Sequence, residues 1–451
     1  MNIHFIAIGG SAMHNLALSL SQKKNIVISG SDDAIFEPSK TRLSEAGLLP
    51  EKEGWFEEKI NSDLDAVILG MHAKKDNPEL IKSKALGIKI YSYPEFLFEY
   101  SKNKTRVVVG GSHGKTSTTS MLVHSLAFSE INFDFMVGAQ LEGYGNTVKL
   151  SEDSEWAVFE GDEYLSSPID LRPKFHLYRA NVAILTGMAW DHINVFPTKE
   201  SYNNAFKDFI KSMEPGGTLI YNSEDIELKE LVLEDNSPIR KIPYQTPDYR
   251  IENSKWIWCT PFGDLDLNFI GKHNLSNAEG ARWLAQEMGV QADDFYDAIS
   301  SFKGADRRMQ LLNKGDKRLV HLDFAHAPSK VKATVQAYIE TYSDKIKVGV
   351  LELHTFSSLN SNYISSYQGI LDNLDKAFVF FDPHAVAMKN LPELRRKVVE
   401  EAFGQKIVVI TDIEDLRDNL EVLPISCNLL IMSSGNLGGF DIMNFSKKWV
   451  S

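Results

Sequence analysis

Short apolar runs recur along the chain and end at small or polar residues. In the first half they are Ile3–Ile8, Ala66–Gly70, Arg106–Gly110, Ala157–Gly161 and Val182–Gly187. In the second half they are Leu319–Asp323, Lys347–Glu352, Ala377–Asp382, Lys406–Asp412 and Asn428–Ser433. Such runs fit strands buried on both faces. Stretches of helical period separate most of them, as in Ser329–Thr341 and Pro392–Phe403. The alternation predicts an α/β fold of parallel sheets covered by helices on both sides. Ligands of such sheets gather at the carboxyl ends of strands, where the polar motifs of this chain sit.

A length of 451 residues corresponds to about three domains at roughly 150 residues each. The Lys-rich stretch Glu99–Lys104 and the segment Phe302–Asp306 mark the breaks, giving 1–103, 104–304 and 305–451. The polar, proline-bearing segment Asp225–Asp264 reads as an irregular peripheral insert in the middle domain, and no internal repeat is apparent. Hydrophobic residues at 43% and charged residues at 24% exclude a disordered, collagen-like or low-complexity chain. The net charge of −13 disfavours nucleic acid as a partner. Cys259 and Cys427 form neither a disulfide framework nor a metal knuckle, so a reducing compartment is expected. No apolar run reaches the roughly 18 residues of a membrane span, and the N-terminus runs directly into a strand. The expectation is a cytoplasmic protein without a membrane partner; oligomeric state is not legible.

The chemistry concentrates in a few motifs. In Val107–Thr116 a strand enters the loop Gly111-Ser112-His113-Gly114, and Lys115 and Thr116 open a helix. Small residues at a helix N-terminus let backbone N–H groups wrap phosphate oxygens. Lys115 then neutralises β/γ-phosphates and Thr116 is placed to ligate Mg²⁺. Position 109 is Val where the GxxxxGK[ST] pattern has Gly. The strand Ala157–Glu160 ends in Glu160-Gly-Asp-Glu163, whose oxygens suit a hard divalent cation; a solvated acidic turn is the alternative. Val182–Thr186 leads to Trp190-Asp191-His192, where His192 is either a metal ligand or a structural residue. Ile8-Gly9-Gly10-Ser11-Ala12-Met13 follows the first strand like a dinucleotide loop, and Ser29-Gly30-Ser31-Asp32 comes about twenty residues later.

Taken in order, GSHGKT (111–116), EGDEY (160–164), DH (191–192), GKHNLSN (271–277), FKGADRR (302–308) and DFAHAP (323–328) resemble the Mur ligases over nearly the whole chain. That resemblance implies a Rossmann-like N-terminal domain for a UDP-sugar, a P-loop-type central ATPase domain and a Rossmann-like C-terminal domain that closes. It implies ATP and Mg²⁺, with Lys115 on the phosphates and Thr116, Glu160 and His192 at the metal. His273, Asn274 and Asn277 correspond to adenine-side contacts, Arg307 or Arg308 and Asp323 to phosphate and ribose contacts, and His326 to a histidine near the closing face. Read without the family, Asn274 is a helix cap and the arginines a solvated pair. The loop Gly9–Met13, with Ser31 and Asp32, becomes a UDP site rather than an NAD site. Ala7 and Ala12 stand where the family loop has glycines, and Gly187 and Ala189 stand where it often has Asn and Glu.

The implied reaction is ATP-dependent: the lactyl carboxylate of UDP-N-acetylmuramate is activated as an acyl phosphate and captured by an amine. EGDEY, Trp190–Phe196 and Met432-Ser-Ser-Gly-Asn-Leu-Gly-Gly439 resemble the branch that adds the tripeptide L-alanyl-γ-D-glutamyl-meso-diaminopimelate more than the branch that adds L-alanine. The expected acceptor is therefore the tripeptide, with L-alanine as the alternative. A dehydrogenase would leave Lys115 and Thr116 idle. A non-catalytic UDP-sugar or ATP sensor would not need Glu160 and His192.

Overall fold

The computed structural model describes residues 1–141, 143–190, 192, 194–361, 363–404 and 406–451. Asp191, the first residue of the DH pair, lies outside the described residues. Two compact units emerge, one made of 1–188, 199–244 and 280–294, the other of 189–198, 245–279 and 295–451.

The first unit holds two sheets. Strands β1 (Asn2–Ile6), β2 (Val27–Ser31), β3 (Ala66–Leu69) and β4 (Lys89–Ser92) form a parallel sheet in the order β2-β1-β3-β4. Connections leave β1 toward one edge and β3 toward the other, so the crevice at their carboxyl ends is the expected ligand position. The second sheet comprises β5 (Thr105–Gly110), β6 (Phe133–Met136), β7 (Val148–Lys149), β8 (Trp156–Glu160), β9 (Val182–Leu185), β10 (Thr218–Asn222) and β11 (Arg240–Tyr244). Its order is β11-β10-β9-β5-β8-β6-β7, parallel except for the β6/β7 pair. Val107, Val108 and Val109 of the central strand β5 are fully buried, each worth roughly 1.5–3 kcal/mol. That anchors the loop that follows. Flanked by β8 and β9, β5 delivers its carboxyl end between Glu160 and Thr186.

The second unit also holds two sheets. Strands β12 (Tyr249–Glu252), β13 (Lys255–Thr260) and β14 (Gly263–Asp266) form an antiparallel meander. Asn253 and Ser254, both at positive φ, close its first hairpin as a two-residue turn whose twist matches the strands. Strands β15 (Gln310–Lys314), β16 (Leu319–Asp323), β17 (Ile346–Glu352), β18 (Lys376–Phe380), β19 (Ile407–Ile410) and β20 (Cys427–Met432) assemble in the order β15-β16-β20-β17-β18-β19. Only the β15/β16 pair is antiparallel. Side chains alternate between two cores: Val350, Phe378 and Leu429 on one face, Leu351, Val379 and Leu430 on the other. Helices cover both, which explains the continuous apolar runs.

All ten expected runs are strands. The reading of Asp225–Asp264 as irregular is corrected: it contains a helix (Ile226–Glu234), the edge strand β11 and the meander. Pro243 is tolerated because β11 pairs on one side only. The helix expected at Pro392–Phe403 starts at Arg396. Among the described residues, no helix is long and apolar enough to cross a membrane.

Candidate active site

In the first unit the loop 110–116 is shaped by close approach. Gly111 has φ +131°, and a Cβ there would overlap the Thr186 hydroxyl and come within 3.0 Å of the Thr186 nitrogen. Gly114, at φ +76°, caps the helix Lys115–Phe128. The helix therefore begins with Lys115 and Thr116 in its first turn, where backbone N–H groups lack helical partners. Ser112 donates its N–H to the Gly187 carbonyl at 2.9 Å, and the Thr186 hydroxyl donates to the carbonyls of Gly110 and His113.

Lys115 Nζ donates to the Gly111 carbonyl at 2.6 Å and to Glu163 at 2.7 Å. Glu163 is fully buried and also accepts the Tyr202 hydroxyl at 3.2 Å. Burial alone would lower the Lys115 ammonium, but Glu163, then Asp162 and Glu160, hold its pKa above the ordinary value. Burial likewise opposes ionisation of Asp162, but Lys174, 2.7 Å away, brings that carboxyl below the usual range.

Thr116 and Glu160 are brought together: the hydroxyl donates to Glu160 Oε1 at 2.9 Å, and Gly138 N–H donates to Oε2 at 2.7 Å. A hydroxyl and a carboxylate side by side at a helix N-terminus form the hard-oxygen donor set that suits Mg²⁺.

At the carboxyl end of β1, Gly9 N–H donates to Asp32 Oδ2 at 2.7 Å, and the N–H groups of Ala7 and Ile8 donate to the Ser31 carbonyl. Gly9, Ser31 and Asp32 are thus assembled, with Asp32 bonded to the loop itself and its carboxyl raised by burial. Gly10 caps the helix Ser11–Ser21. Ser11 and Ala12 are exposed and Met13 is buried. Ala7, in the family's glycine position, has φ +70°, a conformation that costs an L-residue about 1–2 kcal/mol. Lys59 donates to the Gly30 carbonyl at 2.9 Å and to Ser31 Oγ at 3.1 Å.

In the second unit, Asp323 at the end of β16 accepts N–H from Met309 at 2.7 Å and Ala325 at 2.8 Å, and the Thr334 hydroxyl at 3.1 Å. Arg307, at φ +54°, donates to the carbonyls of Ser433 at 2.9 Å and Gly435 at 2.7 Å. Arg308 stacks on Phe324 at 4.5 Å. The expected pair is therefore built into the strand ends, not merely solvated. His326 Nδ1 lies 2.9 Å from the Phe324 carbonyl. Burial lowers the pKa of His273, against the pull of Asp323 and Glu340. Asn274 is inside the first turn of Lys272–Glu287 and donates to the Ile270 carbonyl at 2.9 Å, so it is not the N-cap. Asn277 is buried in the same helix. His192 has φ +54°, and its carbonyl receives the N–H groups of Val195 and Phe196.

Several residues escaped the sequence reading. Glu163 was visible only as one of three neighbouring acids, and nothing local marked it as the partner of Lys115. Lys59 comes from an exposed turn. Glu352 at the end of β17 accepts the Ser433 hydroxyl and Leu437 N–H, with His354 at 3.7 Å. The apolar run ending at Glu352 pointed to that position without a motif to interpret it.

Family models describe residues 2–105 as "Mur ligase family, catalytic domain" and residues 109–285 as "Mur ligase middle domain". A UDP-N-acetylmuramate–L-alanine ligase of Sulfurihydrogenibium sp. is 30% identical over 412 residues, covering 90% of this chain and 86% of that protein. Two solved structures share the fold. The UDP-N-acetylmuramate-alanine ligase of Thermotoga maritima is 19% identical, with a TM-score of 0.70 over 100% of this chain and 98% of that one. A murein peptide ligase of Psychrobacter arcticus is 21% identical, with a TM-score of 0.66 over 100% and 99%.

Proposed function

The chain belongs to the Mur ligase family, the ATP-dependent amide-forming ligases of peptidoglycan precursors, and from that premise we propose that it joins the lactyl carboxylate of UDP-N-acetylmuramate to the α-amine of free L-alanine. The observation that carries the ligase reading is the phosphate loop with Lys115 at its base and the Thr116–Glu160 pair 2.9 Å apart beside it. A dehydrogenase has no use for that arrangement.

The acceptor assignment departs from the tripeptide expected from local motifs. The named sequence relative is an alanine ligase along most of its length, whereas likeness to the murein peptide ligase rests on fold. Chemically the two readings are close, because the tripeptide also presents an L-alanyl α-amine. They differ in what the pocket does with the acceptor carboxylate: a site for the free amino acid pairs it, and a site for the tripeptide leaves room beyond it. The tripeptide remains the second reading on the strength of Glu160-Gly-Asp-Glu-Tyr164 and Met432–Gly439.

In this mechanism residues 1–103 hold the UDP-sugar through Gly9–Met13, Ser31 and Asp32. Residues 104–304 hold ATP through Gly111–Thr116, with Asn277, His273 and Asn274 on the adenine side. Residues 305–451 contribute Arg307, Arg308 and Asp323 for phosphate and ribose, and His326, assigned to the reaction by its motif. Thr116 and Glu160 would hold Mg²⁺, with His192 assigned to a metal by its motif, and the ion would neutralise phosphate charge. Lys115 neutralises the γ-phosphoryl group as the carboxylate attacks it, the bond to the β-phosphate oxygen breaks, and ADP leaves as the acyl phosphate forms. The α-amine, after losing a proton, attacks the acyl phosphate and expels phosphate. Most of the acceleration comes from positioning and charge stabilisation.

The test is phosphate release from ATP with UDP-N-acetylmuramate and either L-alanine or the tripeptide. Turnover with L-alanine supports the proposal, turnover with the tripeptide alone establishes the second reading, and inertness with both replaces ligase with sensor.

A further inference from the structure

Asp225 has no task in this mechanism, yet its carboxylate stands one amide away from the phosphate loop. It is the N-cap of the helix Ile226–Glu234, where Oδ1 accepts Leu228 N–H at 3.1 Å. A cap uses one oxygen. The other, Oδ2, accepts Met188 N–H at 2.7 Å, just beyond β9. That N–H belongs to the same planar amide as the Gly187 carbonyl, and the Gly187 carbonyl accepts Ser112 N–H at 2.9 Å. A carboxylate bound to an amide N–H forms a short, charge-assisted bond and polarises the amide, so its carbonyl becomes a better acceptor. Asn222 reinforces the contact by donating to the Thr186 carbonyl at 3.2 Å. The turn after β10 thereby braces the turn after β9, and that turn braces the phosphate loop.

We infer that Asp225 is a positioning residue for nucleoside triphosphate binding: it fixes the Gly187–Met188 amide so that loop 110–116 holds its shape before ATP arrives. The inference rests on the ATP-ligase reading of that loop. Without the brace, the ligand must order the loop itself, and that cost emerges as weaker binding.

Asp225→Ser separates the two tasks, since serine is a good helix cap but has one short hydroxyl and cannot also reach Met188. Asp225→Ala removes both. The experiment is calorimetric titration of the full chain with MgATP and, separately, with UDP-N-acetylmuramate, alongside the thermal midpoint. Asp225→Ser is expected to bind MgATP about tenfold more weakly, as for loss of one charge-assisted bond, with UDP-sugar affinity and midpoint near wild type. Asp225→Ala is expected to show the same ATP loss and a lower midpoint. Wild-type ATP affinity in Asp225→Ser, or equal weakening toward both ligands, overturns the inference while leaving the ligase reading intact. A wild-type chain that binds no MgATP overturns the ligase reading, and this inference with it.

Discussion

Replacing Glu163 by Gln keeps the shape of the side chain and removes the charge paired with Lys115. Breaking a buried ion pair from one side costs about 3–5 kcal/mol. Here the Lys115 ammonium retains the Gly111 carbonyl at 2.6 Å, the Lys115 side chain is 14% exposed, and the carboxylates of Asp162 and Glu160 still attract it. The expected loss is therefore smaller, about 2 kcal/mol, or roughly 4–8 °C in midpoint for a unit of this size. Nucleotide affinity should move the other way. A phosphate seated on Lys115 would lie ~6 Å from the Glu163 carboxylate, where two unit charges repel by roughly 3 kcal/mol at an effective dielectric of about 20. With about half of that screened by solvent and cation, Glu163→Gln should bind ADP about tenfold more tightly. Differential scanning calorimetry with and without ADP measures both effects. An unchanged midpoint would refute the ion pair, and weaker ADP binding would refute the repulsion. The raised Lys115 pKa also fixes a sign. Its stabilising contribution is fully present below the ordinary lysine pKa and is lost as pH rises through the higher folded value, so the Lys115 side of the pair weakens the fold only at alkaline pH.

Gly111→Ala places a methyl group against Thr186 at a left-handed φ; ADP-induced stabilisation in a thermal shift assay should vanish, and its retention would show that the loop tolerates a side chain. Ala7→Gly relieves a positive φ and should leave the unfolding free energy unchanged or raise it by up to ~1 kcal/mol in urea titration, net of unfolded-state entropy; a clear fall would place that strain elsewhere. Burial pushes His321 down to about 3, so between that value and its ordinary pKa only the unfolded chain binds the proton. Stability should fall as pH drops below about 6.5, by roughly 1.4 kcal/mol at one unit below. His321→Gln should flatten that slope in urea titrations of the pH series. Lys115→Ala should abolish ATP turnover while UDP-N-acetylmuramate binding, measured by titration, is retained.

Much of the strand framework was legible because continuous apolar runs such as Val107–Val109 and Leu429–Met432 have no other home than sheets buried on both faces. Strands outside that pattern were missed. The edge strands β2 and β4 are partly exposed, and so are the short outer strands β12 and β14 of the meander. The glycine loop 110–116 and the helix start after it were legible for a related reason. Its glycines, lysine and threonine are consecutive, and their chemistry requires that order.

The sequence by itself determined the layered fold and the glycine loop 110–116 that opens a helix at Lys115, since each depends on residues adjacent in the chain. Only the tertiary structure decided which acid meets Lys115, which carbonyl holds Ser112 and which carboxylate braces that carbonyl. Those choices depend on strand order. Because β5 is flanked by β8 and β9, with β10 beyond β9, residues 163 and 186 reach the loop at 110–116 and residue 225 reaches the turn beside it. No spacing along the chain encodes that order; it follows from which buried strands pair most favourably once the whole sheet assembles.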